Sequence, residues 1–159
     1  MKYEPTWGSH IPVLIKVMEH TSGCVLELGM GISSTPLLHM LCFDKDRHLV
    51  SYEDDPTFIK MFEKYADSTH EIRKVEDWNH INLDHDWSVV LVDHKPAERR
   101  IEEIKRLNAE YIVIHDSEPS MNELYRYDEI YPLFKHRFDY TKALVHTTVL
   151  SNNNLEWLK

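Results

Sequence analysis

Two apolar runs without alternation, Val89-Val90-Leu91-Val92 and Tyr111-Ile112-Val113-Ile114, constrain the fold of this chain more than any other feature. Successive side chains of a strand point to opposite faces, so a strand with one wet face alternates apolar and polar residues. A strand that is apolar throughout is covered on both faces, as in a parallel sheet flanked by helices. Both runs stop at polar residues, Asp93 and then His115-Asp116, so chemistry is offered where the buried part ends.

Strands are expected over 24–28, 49–53, 71–75, 89–93 and 111–116, the third weakly apolar and therefore at a sheet edge. Between them lie helical patterns. Ile11, Leu14, Ile15 and Met18 share one face, and Gly23 then breaks the chain. Leu37, Leu38 and Leu41 follow Pro36, with Ser33 or Ser34 as cap. Phe58, Ile59, Phe62 and Ala66 follow Pro56, with Asp54 or Asp55 as cap. Ile101, Ile104 and Leu107 mark a fourth helix, and Met121, Leu124 and Tyr125 a fifth. Residues 76–87 read as a loop, and extended segments around 138–140 and 144–150 read as a closing hairpin. This order predicts one α/β domain over 1–159: a doubly wound, mostly parallel seven-stranded sheet, helices on both faces and an antiparallel hairpin at its end.

Composition narrows the class. With 159 residues, 42% of them hydrophobic, the chain suffices for one core. A net charge of −9 disfavours sequence-independent contact with nucleic-acid phosphates. No apolar run is long enough to span a bilayer, and Met1-Lys2-Tyr3-Glu4-Pro5 lacks the apolar core of a secretory signal. A cytoplasmic protein is expected. Cys24 and Cys42 sit in apolar surroundings with no Cys-x-x-Cys spacing, which reads as buried thiols rather than a disulfide or a cysteine zinc site.

Ligands of such sheets sit beyond the carboxyl ends of the strands. Here Glu27, Glu53, Asp93 and Asp116 stand at or near four of those ends. In Leu26-Glu27-Leu28-Gly29-Met30-Gly31-Ile32-Ser33-Ser34 the strand runs through two glycines into a helix, so a ligand can approach the main chain closely. Glu53 follows Gly31 by about 22 residues, the position of a ribose-binding acid. Ser34 occupies the third glycine position of a dinucleotide fingerprint, and Glu27 precedes the turn. Both points disfavour a nicotinamide-dependent oxidoreductase.

The Glu27–Gly29–Gly31 turn together with Glu53 resembles the first motif and ribose acid of class I S-adenosylmethionine-dependent methyltransferases, over most of the chain. That resemblance implies the Rossmann-like methyltransferase fold, with S-adenosylmethionine as cofactor. It places Glu27, Gly29, Gly31 and Ser33 around the methionine and ribose, Glu53 on the ribose, and Asp93 at the cofactor's edge. Asp77 would accept from the adenine amino group and Trp78 would stack on the ring. Two further segments, Asp93-His94-Lys95-Pro96 with Arg100 and Ile114-His115-Asp116-Ser117-Glu118, resemble those of small bacterial and viral methyltransferase-like proteins.

Chemistry then falls to His94, His115, Asp116 and Lys95. Methyl transfer needs an aligned donor and acceptor and removal of the acceptor proton. His94 or His115 could be the base, and Asp116 could orient a histidine or act on an amine. Lys95, Arg99 and Arg100 could hold an anionic group of the acceptor, or form a solvated helix face paired with Glu98, Glu102 and Glu103. Asp93 and Asp116 also resemble the metal-holding acids of catechol-type methyltransferases, His115 or Glu118 could complete the set, and oxygen-rich ligands suit magnesium or calcium. The Asp-Asn pair of that subgroup is absent, so a divalent metal is possible but not favoured. The remaining histidines show no ligand-like spacing, and His10 could close over the cofactor.

The expected activity is methyl transfer to oxygen or nitrogen of a small polar acceptor. The alternative is a protein that binds S-adenosylmethionine without transferring its methyl, as a partner-binding or scavenging module. A nucleic-acid acceptor is disfavoured because Asp93-His94-Lys95-Pro96 only partly echoes the Asn/Asp-Pro-Pro-aromatic motif. No insertion caps the acceptor side, and a homodimer could supply that wall.

Overall fold

The computed structural model describes residues 4–159; Met1–Tyr3, part of the amino-terminal segment read above for a signal, lie outside the described residues. Seven strands form one sheet in the order β3-β2-β1-β4-β5-β7-β6. The strands are β1 (Val25–Leu28), β2 (Leu49–Glu53), β3 (His70–Lys74), β4 (Asp86–Val92), β5 (Asn108–His115), β6 (His136–Tyr140) and β7 (Thr147–Ser151). The first five are parallel, and β7 enters antiparallel between β5 and β6. The expected fold class is therefore observed.

The unalternating runs are covered on both faces. Leu26, Val90, Val92, Ile112 and Ile114 belong to one core cluster, whose helical cover is Ile101 and Ile104. Those residues lie on α4 (Arg100–Arg106). Val25, Val89, Leu91, Tyr111 and Val113 belong to the opposite cluster with Val13, Leu14, Val17, Met18 and Leu38. The helices on that side are α1 (Ile11–His20) and α2 (Ser34–Asp44). Chain order reverses beside β1, where β2 and β4 flank it, and this is the switch point at which such sheets bind ligands.

Several local expectations change. Asp55 caps α3 (Pro56–Phe62) by accepting from the Thr57 amide, but Ala66 lies beyond the helix and is exposed. Ser33 occupies the lead of α2 without a capping side-chain bond. Asp86 and Trp87, read as loop, open β4. The fifth helix is only α5 (Asn122–Tyr125), cut off by Arg126 at φ 57°. Cys24 and Cys42 are free thiols. Among the described residues no helix is long and apolar enough to cross a membrane.

Candidate functional site

A cavity of about 370 Å3 opens at the carboxyl edge of the sheet, within the range of small-molecule sites. Met30, Gly31, Ile32 and Ser34 contribute from the turn after β1, and Glu53, Asp54, Asp55 and Phe58 from the end of β2 onward. The loop after β4 supplies Asp93, His94 and Lys95, and α4 supplies Arg100. His115, Asp116 and Tyr125 close the far side, and Thr6 and Trp7 reach over from the amino-terminal segment. Carboxylates outnumber cations on this wall, which favours a cationic guest over a pyrophosphate.

The glycine turn is fixed by close packing. Gly29 has φ +89°, and a Cβ there would lie 2.5 Å from the backbone N and Cα of His94. The turn after β1 and the loop after β4 thus approach each other at a distance only glycine allows. Gly31 donates its amide to Thr35 Oγ1 at 2.9 Å. Thr35 Oγ1 in turn donates to Glu27 Oε1 at 3.0 Å, and Ser51 Oγ donates to Glu27 Oε2 at 2.6 Å. Glu27 is fully buried and does not line the cavity; it braces the turn through Thr35. Burial pushes its carboxyl up to about 7, against the pull of these hydroxyls. Ser33 lies beside the turn and its neighbour Ser34 lines the cavity.

Glu53 is placed as a hydroxyl acceptor. Its Oε2 accepts from the Met30 amide at 2.7 Å, and its Oε1 from the Asp54 and Asp55 amides at 2.9 and 2.8 Å. A carboxylate has about four lone-pair sites, so roughly one remains for a ligand. Burial pushes this carboxyl up to about 7, against the backbone amides that favour its charged form.

Asp93, His115, Asp116 and Arg100 meet on the other side. His115 Nδ1 lies 3.2 Å from Asp93 Oδ1 and 3.4 Å from Asp116 Oδ1, while its Nε2 lies 2.8 Å from Ser9 Oγ. Arg100, 2% exposed, donates from Nη2 to Asp93 at 3.0 Å and Asp116 at 3.3 Å. It also donates to the carbonyls of His94 and His115, joining the loops after β4 and β5. Tyr125 donates to Asp116 at 3.0 Å and lies under the Arg100 guanidinium. Burial alone would raise the Asp93 carboxyl; the His115 hydrogen bond and the Arg100 charge override it and hold it at about 2. Burial would lower His115, but hydrogen bonding to Asp93 and the charges of Asp93 and Asp116 raise it.

Other expected site residues lie elsewhere. Asp77 is exposed and caps a short turn through the Asn79 amide. That turn buries Trp78, which is 5% exposed, lies 4.1 Å from the His94 ring and donates to Asp54 at 3.2 Å. Neither residue lines the cavity; Trp78 supports His94 and Asp54, which do. His94 is itself buried, its Nε2 3.1 Å from Glu103 Oε2, and its Nδ1 has no partner among the described residues. Arg99 pairs with the same buried Glu103 at 2.7 Å. Arg99 pairs with Glu103 as the helix-face alternative had it, but that acid is buried; Arg100 is engaged in internal pairs, and Lys95 alone of the three is exposed at the cavity. His10 does not close over the cavity, whose roof here is Thr6 and Trp7.

Sequence reasoning missed Ser9, Thr35, Ser51, Tyr125 and the linking role of Arg100. The spacing of Thr35 four residues beyond Gly31 was a readable signal for its bond to the Gly31 amide.

No protein-family model matches the chain, and no curated protein sequence matches it. Solved structures do. The chain is similar to a candidate O-methyltransferase from Klebsiella pneumoniae, with 13% identity and a TM-score of 0.64, over 96% of this chain and 82% of that one. It is similar to cofactor-bound Rv0187 from MTB, with 14% identity and a TM-score of 0.67, over 97% and 83%. It is also similar to the N-terminal domain of human METTL16 in complex with SAH, with 10% identity and a TM-score of 0.54, over 97% and 73%. At these identities the likeness defines the fold alone, the Rossmann-like α/β fold that this chain shares with those solved structures.

Proposed function

We propose that this chain is an S-adenosylmethionine-dependent methyltransferase acting on oxygen or nitrogen of a small polar acceptor. The observation that carries the reading is one cavity joining the Gly31–Glu53 wall to the Asp93–His115–Asp116 cluster. The residues fit the cofactor: a turn with glycines at 29 and 31, an acid with a free acceptor position, and an acidic lining suited to a sulfonium. Glu53 would hold the ribose, the Gly29–Gly31 turn and Ser33 the methionine part, and Asp93 the inner edge, with Glu27 bracing the turn from behind. When bound, the cofactor supplies an electrophilic methyl group.

The chain's own residues handle the acceptor. His115, oriented by Asp93, takes the acceptor proton, and Asp116 orients an amine or hydroxyl. Arg100 holds both carboxylates in place, and Lys95, at the open rim, attracts an anionic acceptor. Asp77 and Trp78 contribute to the adenine end through the wall that Trp78 supports.

A second reading, cofactor binding without transfer, is favoured by one contact: Ser9 occupies the His115 nitrogen that an acceptor would need. Calorimetry with S-adenosylmethionine, S-adenosylhomocysteine and NAD tests the main reading. Both adenosyl ligands are expected to bind and Glu53→Ala to weaken them by at least about 10-fold, the loss of one charge-assisted hydrogen bond. Binding of NAD alone would overturn the assignment. His115→Ala is then expected to abolish transfer while leaving cofactor affinity intact; transfer that persists would remove His115 from the mechanism.

A further inference from the structure

His10 has no role in the proposed transfer, yet its surroundings are unusual. It is 1% exposed, and neither ring nitrogen has a hydrogen-bond partner among the described residues. An imidazole carries at least one N–H, and in its neutral form one lone pair as well, and buried polar groups are nearly always satisfied. The ring stands edge-on to His115, with centroids 4.9 Å apart. One ligand atom each from His10, Asp93 and His115 lies within 4.8 Å of the others.

We propose that His10, Asp93 and His115 form a binding site for a divalent transition metal of the zinc type. A tetrahedral ion with bonds of about 2.0–2.1 Å sets its ligand atoms roughly 3.3 Å apart. His115 Nδ1 stands 3.2 Å from Asp93 Oδ1, already at that separation. Ser9 Oγ, 2.8 Å from His115 Nε2, fixes the ring so that Nδ1 is the nitrogen presented. Such an outer contact is what metal-bound histidines use to hold their orientation.

The three ligands come from the lead of α1, the loop after β4 and the end of β5, so the fold assembles the set and no local spacing reveals it. Two imidazoles and one carboxylate select a transition metal rather than magnesium or calcium, which prefer oxygen. His10 distinguishes this set from one built on Asp93 and Asp116 with His115 or Glu118. Arg100 also contacts Asp93, but Asp93 and Asp116 together carry more negative charge than one guanidinium cancels. Asp93 and His115 line the cavity and His10 does not, so the ligand set lies at the cavity's edge. With the ion bound, His115 is its ligand, which replaces the proton-acceptor role proposed for it above.

The metal site goes beyond the methyltransferase reading and is tested without the adenosyl cofactor. Protein stripped with a chelator is titrated by calorimetry with zinc and with magnesium, and by visible absorption with cobalt. One equivalent of zinc is expected, with a tetrahedral cobalt spectrum and no magnesium binding. His10→Ala is expected to weaken zinc by more than the 10–100-fold that loss of an outer-shell partner brings, while His136→Ala, an exposed control, leaves it unchanged. If His10→Ala does not fold by circular dichroism, His10→Gln takes its place. Absence of zinc binding by folded wild-type protein, or binding unchanged in the folded His10 variant, overturns the site. Either result leaves the cofactor question open to its own test, calorimetry with S-adenosylmethionine.

Discussion

Glu27 is the residue whose surroundings are most sharply defined. It is fully buried below the glycine turn, and its oxygens accept from the hydroxyls of Thr35 and Ser51. Its folded pKa of about 7 lies above the ordinary 4.5, so between those values the native state holds a proton that the unfolded chain has released. The stability tied to this proton is complete below the unfolded value and is lost as pH rises through about 7, by ~3 kcal/mol. Glu27→Gln is neutral at every pH. Its stability relative to wild type, from urea denaturation, is therefore expected to rise by that amount between pH 4.5 and about 8. A difference that does not change with pH would contradict the account. Glu53 carries the same sign and its charge helps raise Glu27, so the change with pH includes the repulsion between the two carboxylates.

At the scale of elements, α4 joins two loops through its first residue. Arg100 donates to the His94 and His115 carbonyls and to Asp93 and Asp116, so the ends of β4 and β5 are tied to one side chain. Arg100→Met removes these bonds and leaves the carboxylates without their counter-charge. A loss of about 3 kcal/mol in unfolding free energy is expected by denaturant titration, as for other broken buried pairs. A loss below about 1 kcal/mol would show that the loops hold themselves. Arginine in a charged run reads as solvent-facing, since cations are seldom buried unless paired. The pairing that buries Arg100 involves residues 7 and 16 positions away, which a run of local charge does not display.

For the whole molecule, legibility followed burial. The runs at Val89 and Tyr111 declared both their strand character and their two-sided cover, and the acids at their ends marked the ligand edge. Glu53 was readable because its place is set by one strand end. Glu27's partnership with Ser51 depends on β1–β2 register, which pairs the two residues across the sheet and is fixed only on folding. Asp77 and Trp78 read as belonging to the adenine end because an acid and an aromatic follow the third strand there; the turn led by Asp77 packs Trp78 against His94, a contact no local pattern displays. His10 and His115 are far apart in sequence, and only the fold brings their rings together. The central claim is that an adenosyl sulfonium cofactor lies across β1, β2 and β4, and a crystal structure with S-adenosylhomocysteine tests it most directly. The ribose is expected on the Glu53 carboxylate, with the amino-acid end over the Gly29–Gly31 turn and the sulfur facing His115. Density for the nucleoside at any other edge of the sheet, with Glu53 untouched, would contradict it.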